Sequence, residues 1–204
     1  MNGEVTNVLV AGVGGQGTIL TSDLLSNTAM ALGYDVKKSE VHGMAQRGGS
    51  VMSHVRFSER VASPLIPYGK CDILLSFEEL EAARYVRYLK KDAVVIINRY
   101  RLAPPSVISG QEPYPDVVPI IREKTRNILM VEGSAVAEEM GNARGVNIIL
   151  LGVLSTFLEP PESVWIDAIN TMLKEKIRAV NIEGFKRGRQ LNSPVMHNVQ
   201  GGMS

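Results

Sequence analysis

A short apolar run that breaks into glycines and then into a helix is the most restrictive stretch of this 204-residue chain. Val8 to Ala11 read as a buried strand, Gly12, Gly14, Gly15 and Gly17 follow, and apolar positions recur at helical spacing from Thr18 to Leu25. Strand, glycine turn and helix make a phosphate-binding βα unit, with Gly12, Gly14 and Gly17 at G-x-G-x-x-G spacing. The expected roles are a tight turn at Gly12, backbone approach of a ligand or another chain at Gly14, and close helix–strand packing at Gly17. Gly15 and Gln16 complete the turn and join it as candidate contact residues. The unpaired N–H groups and positive dipole end of the following helix suit an anion. Two readings stay open: a dinucleotide site, or a turn that only packs or docks a partner chain. Glu40 is the one acid placed to hold a ribose, but Lys37, Lys38 and a polar, glycine-rich stretch surround it, unlike a nicotinamide pocket.

The remaining pattern alternates. Strands are expected at Val36–Val41, Ser50–Phe57, Asp72–Phe77, Ala93–Asn98, Val117–Ile121 and Asn127–Val131. Helices are expected from Thr18 to the glycine stop at Gly33, over Glu78–Leu89 and Gly133–Gly141, and then in succession over Asn147–Leu158, Ser163–Lys174 and Ile177–Leu191. Tyr100–Tyr114, with three prolines, reads as an excursion. The fold class is α/β: a three-layer α/β/α sandwich with a mostly parallel or mixed sheet, a Rossmann-like first βα unit and a helical C-terminal third. Residues 1–204 form a single domain, with 192–204 as a frayed tail. The period-two alternation of Ser50–Phe57 predicts a half-exposed strand and hence a mixed sheet.

Composition narrows the function classes. A net charge of +1 gives no general reason for nucleic-acid or membrane binding, and 5% aromatic content leaves little for base stacking. The N-terminus is polar, and the apolar stretch Val146–Leu158 is shorter than the roughly 20 residues of a membrane helix, so the chain is expected to be cytoplasmic. The single cysteine, Cys71, cannot ligate an iron–sulfur cluster or build a structural zinc site, and reads as a small buried hydrophobe.

Chemistry-bearing side chains concentrate after the second strand, in His42-Gly43-Met44-Ala45-Gln46-Arg47-Gly48-Gly49-Ser50. This loop is expected to share the strand-end crevice with the glycine turn, offering His42, Gln46, Arg47 and Ser50. Arg47 suits a carboxylate or phosphate, or an acid on a partner subunit. His54 reads as a solvated strand histidine. No nucleophile stands in a G-x-S-x-G setting, and Glu78-Glu79-Leu80-Glu81 reads as the acidic first turn of a helix.

Gly12-Val13-Gly14-Gly15-Gln16-Gly17, Ser39 to Val51, Ser63 to Pro67 and Ala82-Ala83-Arg84-Tyr85 closely resemble the gamma-type domain of the 2-oxoacid:ferredoxin oxidoreductases. The resemblance spans about residues 5 to 190. The G-x-G-G-Q-G turn is shared across that family; His42-Gly43-Met44-Ala45-Gln46-Arg47-Gly48-Gly49 points to its indolepyruvate branch over the pyruvate or 2-oxoglutarate ones. It implies an enzyme that converts indolepyruvate and other arylpyruvates with coenzyme A to aryl-acetyl-CoA and carbon dioxide, reducing ferredoxin. Thiamine diphosphate, Mg2+ and iron–sulfur clusters would then lie on a partner alpha subunit, because this chain lacks a G-D-G motif. The chain itself would be a subunit inert alone, with the glycine turn as a close-approach surface. A related 2-oxoacid oxidoreductase subunit, a stand-alone nucleotide-binding protein and a pure scaffold are the alternatives.

Overall fold

The computed structural model describes residues 4–43 and 49–192; Gln46, Arg47 and the tail beyond Asn192 lie outside the described residues. One six-stranded sheet forms the middle layer, in the order β2-β3-β1-β4-β5-β6. Its strands are β1 (Thr6–Val13), β2 (Asp35–His42), β3 (Ser50–Ser58), β4 (Cys71–Ser76), β5 (Leu89–Asn98) and β6 (Ile128–Val131). β1, β4, β5 and β6 run parallel, while β3 lies antiparallel between β1 and β2. The sheet is therefore mixed, as expected, because both pairings of β3 are antiparallel.

The α1 helix (Thr18–Ala31) packs on one face with α6 (Val146–Ser155), α7 (Glu162–Met172) and α8 (Glu175–Leu191), around Leu24, Val55, Leu75, Ile148 and Trp165. The short α2 (Glu79–Arg84) and α4 (Val117–Arg122) cover the other face around Leu74, Ala82, Val95 and Ile121. Between them, α3 (Pro105–Ile108) interrupts the excursion, and α5 (Gly133–Glu139) leads from β6 towards α6.

Three local expectations are corrected. Val117–Ile121 is a helical turn, not a strand: Asp116 accepts from the Val118 N–H, Pro119 occupies the first turn where no intrahelical N–H is needed, and Val117 and Ile121 are buried one turn apart. The Glu78–Leu89 helix stops after Arg84 and tightens to a 3₁₀ turn over Val86–Tyr88. β3 is not half-exposed. It is an interior strand, covered by α1 on one face and on the other by the segment after Ser58. Its polar residues bind that segment: Arg56 donates to the Ser63 and Leu65 carbonyls at 2.8 and 3.1 Å, and His54 Nδ1 accepts from the Ile66 N–H at 3.2 Å.

His54 is thus buried, at 2% exposure, rather than solvated. Burial, with the Arg56 charge assisting, holds its pKa below the usual 6.5. The unfolded chain then takes up a proton that the folded one refuses. His54 stability is complete above about pH 6.5 and is lost as pH falls towards the folded pKa. His54→Phe should accordingly show a smaller drop in urea midpoint between pH 7.5 and pH 5 than wild type; an equal drop would mean His54 does not titrate with unfolding.

Candidate functional site at the strand ends

The parallel strands deliver their C-terminal ends to one rim of the sheet, and the reversal of connection between β1 and β4 falls there, where α/β sheets form ligand crevices. The glycine turn, the end of β2 at His42 and the start of β3 at Ser50 share this rim. They are stitched together by backbone: Gly14 N–H donates to Gly49 O at 2.9 Å and Gly43 N–H to Ser50 O at 2.7 Å. The turn and the loop's described ends, Gly43 and Gly49–Ser50, are thus neighbours. His42 is exposed and Ser50 half-buried.

The glycines act differently from the motif's usual assignment. Gly12 ends no tight turn; it sits inside β1, where a Cβ would lie 2.8 Å from both Gln16 Oε1 and Thr18 Cγ2. Gly17 adopts φ 86° as the N-cap of α1, and a Cβ there would meet the Asn147 side chain of α6, not the strand. Gly14 has room: the nearest atom to a Cβ is Gly49 O at 3.7 Å. Gln16 turns inward, its Oε1 accepting from Val13 N–H at 2.7 Å, and so braces the turn. Gly17→Ala should therefore destabilise the chain by about 1–3 kcal/mol through strain and overlap, whereas Gly14→Ala should leave urea unfolding within about 0.5 kcal/mol of wild type. Equal losses at both would overturn this division.

On the other side of β1 lies a feature that sequence reasoning missed. Glu78, Glu79 and Glu81 are not a solvated acidic turn; their exposures are 1%, 3% and 4%. Glu78 caps α2 by accepting from Glu81 N–H at 2.9 Å, while its other oxygen accepts from Leu102 N–H at 3.0 Å and Tyr114 O–H at 2.6 Å. Glu79 accepts from Arg101 at 2.9 Å. Glu81 accepts from Arg84 at 2.9 Å and from the Ser50 hydroxyl, which also meets Tyr85 O–H at 2.6 Å. Burial and the Glu78 carboxylate push the Tyr114 pKa up, keeping it a donor. The available signal was three acids in four residues at the end of a core strand.

A cleft of about 590 Å³ opens beside the turn, lined by Gly15, Gln16, Phe77, Tyr100, Ser134 and Arg144 among others. The N-termini of α1 and α6 border it, neither capped by a side chain nor carrying an acid in its first turn. The two helix ends favour an anion, while the side chains that line the cleft bring one charge of each sign, Arg144 and Glu138. Glu40, by contrast, pairs with Lys38 at 2.6 Å on an edge strand separated from β1 by β3. It is not placed to hold a ribose over this turn. Another cleft, about 400 Å³, lies at the opposite strand ends near Asp72, Lys90 and Glu159. Cys71 is buried, its thiol pushed up to about 12 by burial, which is unsuited to thiolate chemistry. Among the described residues, no helix is long and apolar enough to cross a membrane.

The α/β fold of the chain is shared with solved oxoacid oxidoreductases. The gamma subunit of a keto/oxoacid ferredoxin oxidoreductase from Geobacter sulfurreducens superposes with a TM-score of 0.69 at 20% identity, covering 91% of this chain and 97% of that one. The 2-oxoglutarate:ferredoxin oxidoreductase of Magnetococcus marinus gives 0.71 at 22% identity, covering 92% of this chain but 31% of that longer one. Residues 7–191 match the family model described as pyruvate ferredoxin/flavodoxin oxidoreductase. The indolepyruvate oxidoreductase subunit IorB of Archaeoglobus fulgidus is 39% identical over 187 residues, 89% of this chain and 92% of the relative. Its counterpart in Thermococcus kodakarensis is 38% identical over 188 residues, 89% and 93% of the two chains. The chain belongs to the pyruvate ferredoxin/flavodoxin oxidoreductase family, and within it to the indolepyruvate oxidoreductase subunits.

Proposed function

We propose that this chain is the cofactor-free subunit of a cytoplasmic enzyme that oxidatively decarboxylates indolepyruvate and other arylpyruvates, transferring the aryl-acetyl group to coenzyme A and the electrons to ferredoxin. The observation that carries the reading is the strand-end rim, where backbone hydrogen bonds hold the glycine turn to Gly49 and the hairpin ends at Gly43 and Ser50. The matches to indolepyruvate oxidoreductase subunits support the substrate class. Thiamine diphosphate, Mg2+ and the iron–sulfur clusters belong to a partner subunit: a cluster needs several thiolates, and one buried cysteine supplies none. The rim's role is to complete the partner's active-site mouth, with His42, Gln46 and Arg47 meeting substrate, a coenzyme A phosphate or a partner carboxylate, and the uncapped helix ends favouring the same negative charge.

The test has two parts. The isolated chain, purified anaerobically, should lack the absorbance near roughly 400 nm of thiolate-ligated clusters and show no turnover; both should appear with the partner subunit. Arg47→Ala in the reconstituted enzyme should then lower kcat/KM or subunit affinity by about tenfold or more, equivalent to roughly 1.4 kcal/mol, with lysine a poor substitute. If both quantities stay within about twofold of wild type, less than a buried charged contact contributes, Arg47 touches nothing at the mouth.

A further inference from the structure

We propose that the outer edge of β2 is an interface between two copies of this chain, joined antiparallel about a two-fold axis at Ser39, so that the two sheets continue as one. β2 is a sheet edge eight residues long, with neither proline nor glycine, and its register against β3 is unbroken from Asp35 to His42. No segment among the described residues pairs with its outer side. Native sheets blunt such edges with bulges, prolines or charged side chains, lysine above all. Here the lysine charges are already answered: Lys37 by Asp35 at 2.6 Å, and Lys38 by Asp23 and by Glu40 at 2.6 Å. The opposite edge, β6, has only four residues.

Which backbone groups face outward follows from the ladder. Gly43 N–H bonds Ser50 O in register with the β2–β3 pairing, so Gly43 begins the series whose groups point towards β3. In an antiparallel pair these alternate with residues whose groups point away. Val36, Lys38, Glu40 and His42 therefore present their N–H and C=O groups to the open edge. Their side chains share the face covered by α1, where Lys38 meets Asp23 and Val36 joins the core.

Two copies centred on Ser39 pair these residues with each other: Lys38 opposite Glu40 twice, and Val36 opposite His42 twice. Opposite charges directly across a ladder stabilise it and like charges destabilise it. A register shifted by two residues one way sets Lys38 against Lys38; shifted the other way, it sets Glu40 against Glu40. A one-residue shift would turn each copy's core-facing side chains to opposite faces. Charge and pleat thus select one register and one occupant, a second copy. The exposed Val41, at 47%, then lies opposite the aliphatic stem of Lys37.

The experiment uses the full chain alone. Sedimentation equilibrium at roughly 100 μM, enough to populate a dimer with a micromolar Kd, should return twice the chain mass. Glu40→Pro should return the single mass with unchanged circular dichroism, because the lost N–H points outward and edge strands tolerate proline. Ser39→Cys should cross-link under mild oxidation, since the two Ser39 positions oppose each other at about 4.5 Å between Cα atoms, within disulfide reach. Lys37→Cys should not, and buried Cys71 does not compete. A wild-type chain of single mass, cross-linking at 37 rather than 39, or burial of β2 only after the partner subunit is added would each overturn the proposal.

Discussion

Gly188→Ala should destabilise the fold by about 3 kcal/mol or more, the upper end of overpacking, while Gly184→Ala one turn earlier should stabilise it by about 0.5–1 kcal/mol. Both glycines lie inside α8 and both are buried. The difference is what each Cβ would meet. At Gly188 it would overlap the Ile149 carbonyl oxygen of α6 and lie 2.8 Å from its carbon and 3.1 Å from Gly152 Cα. All of these are backbone atoms of a packed helix and cannot swing aside. Gly152 makes the reciprocal contact: its Cβ would overlap the Phe185 carbonyl oxygen and lie 3.0 Å from Arg189 N. The two helices therefore touch backbone to backbone, and that closeness seats Phe185 against Trp165 with ring centroids 6.1 Å apart. At Gly184 the nearest atoms are Ile149 Cγ1 at 3.5 Å and Met140 Cε at 3.8 Å, ordinary contacts with side chains. There the gain in helix propensity should prevail. Urea unfolding of the two variants decides the matter: a shift of the same sign in both would mean that the α6–α8 crossing relaxes freely and is not held by backbone contact.

How much of this was legible depended on whether the cause was local. The β1 turn and α1 were readable because the glycine spacing and the apolar period sit in one stretch of chain. The true demand on Gly17 was not, because the atom that forbids a Cβ belongs to Asn147 on another helix. Val117–Ile121 misled because a five-residue apolar run has no period long enough to separate helix from strand. β3 misled for a different reason: His54 and Arg56 imitate a wet face, yet they face an overlying segment. The loop from His42 to Ser50 was found as a motif, and the structure adds what holds its closing end, Gly14 through Gly49 and Glu81 through Ser50, to which the opening end is joined by Gly43 N–H on Ser50 O. The acids at the start of α2 could be counted in the sequence, but their burial could not, since the donors arrive from Leu102, Arg101 and Tyr114, beyond the next strand.

Those acids carry the second large effect. Glu78→Ala should lower stability by about 3 kcal/mol, the cost of stranding buried partners, and should free the excursion that follows β5. Removing the carboxylate leaves the Leu102 N–H, the Tyr114 hydroxyl and the Glu81 N–H without their acceptor at once. Each is a polar group that burial penalises when unpaired. Tyr114→Phe removes one donor only and should cost about 1 kcal/mol; Glu78→Gln should fall between, because an amide nitrogen in place of Oε2 faces the Glu81 N–H as donor against donor. The consequence reaches the rim. Leu102 and Arg101 tie down the chain immediately after Tyr100, whose side chain lines the cleft beside the glycine turn. Hydrogen exchange at the Leu102 amide should accelerate in Glu78→Ala beyond the change in global stability, while amides of β1 follow the global value alone. If Leu102 instead tracks β1, the excursion is held by its other contacts, and Glu78 serves only as the cap of α2.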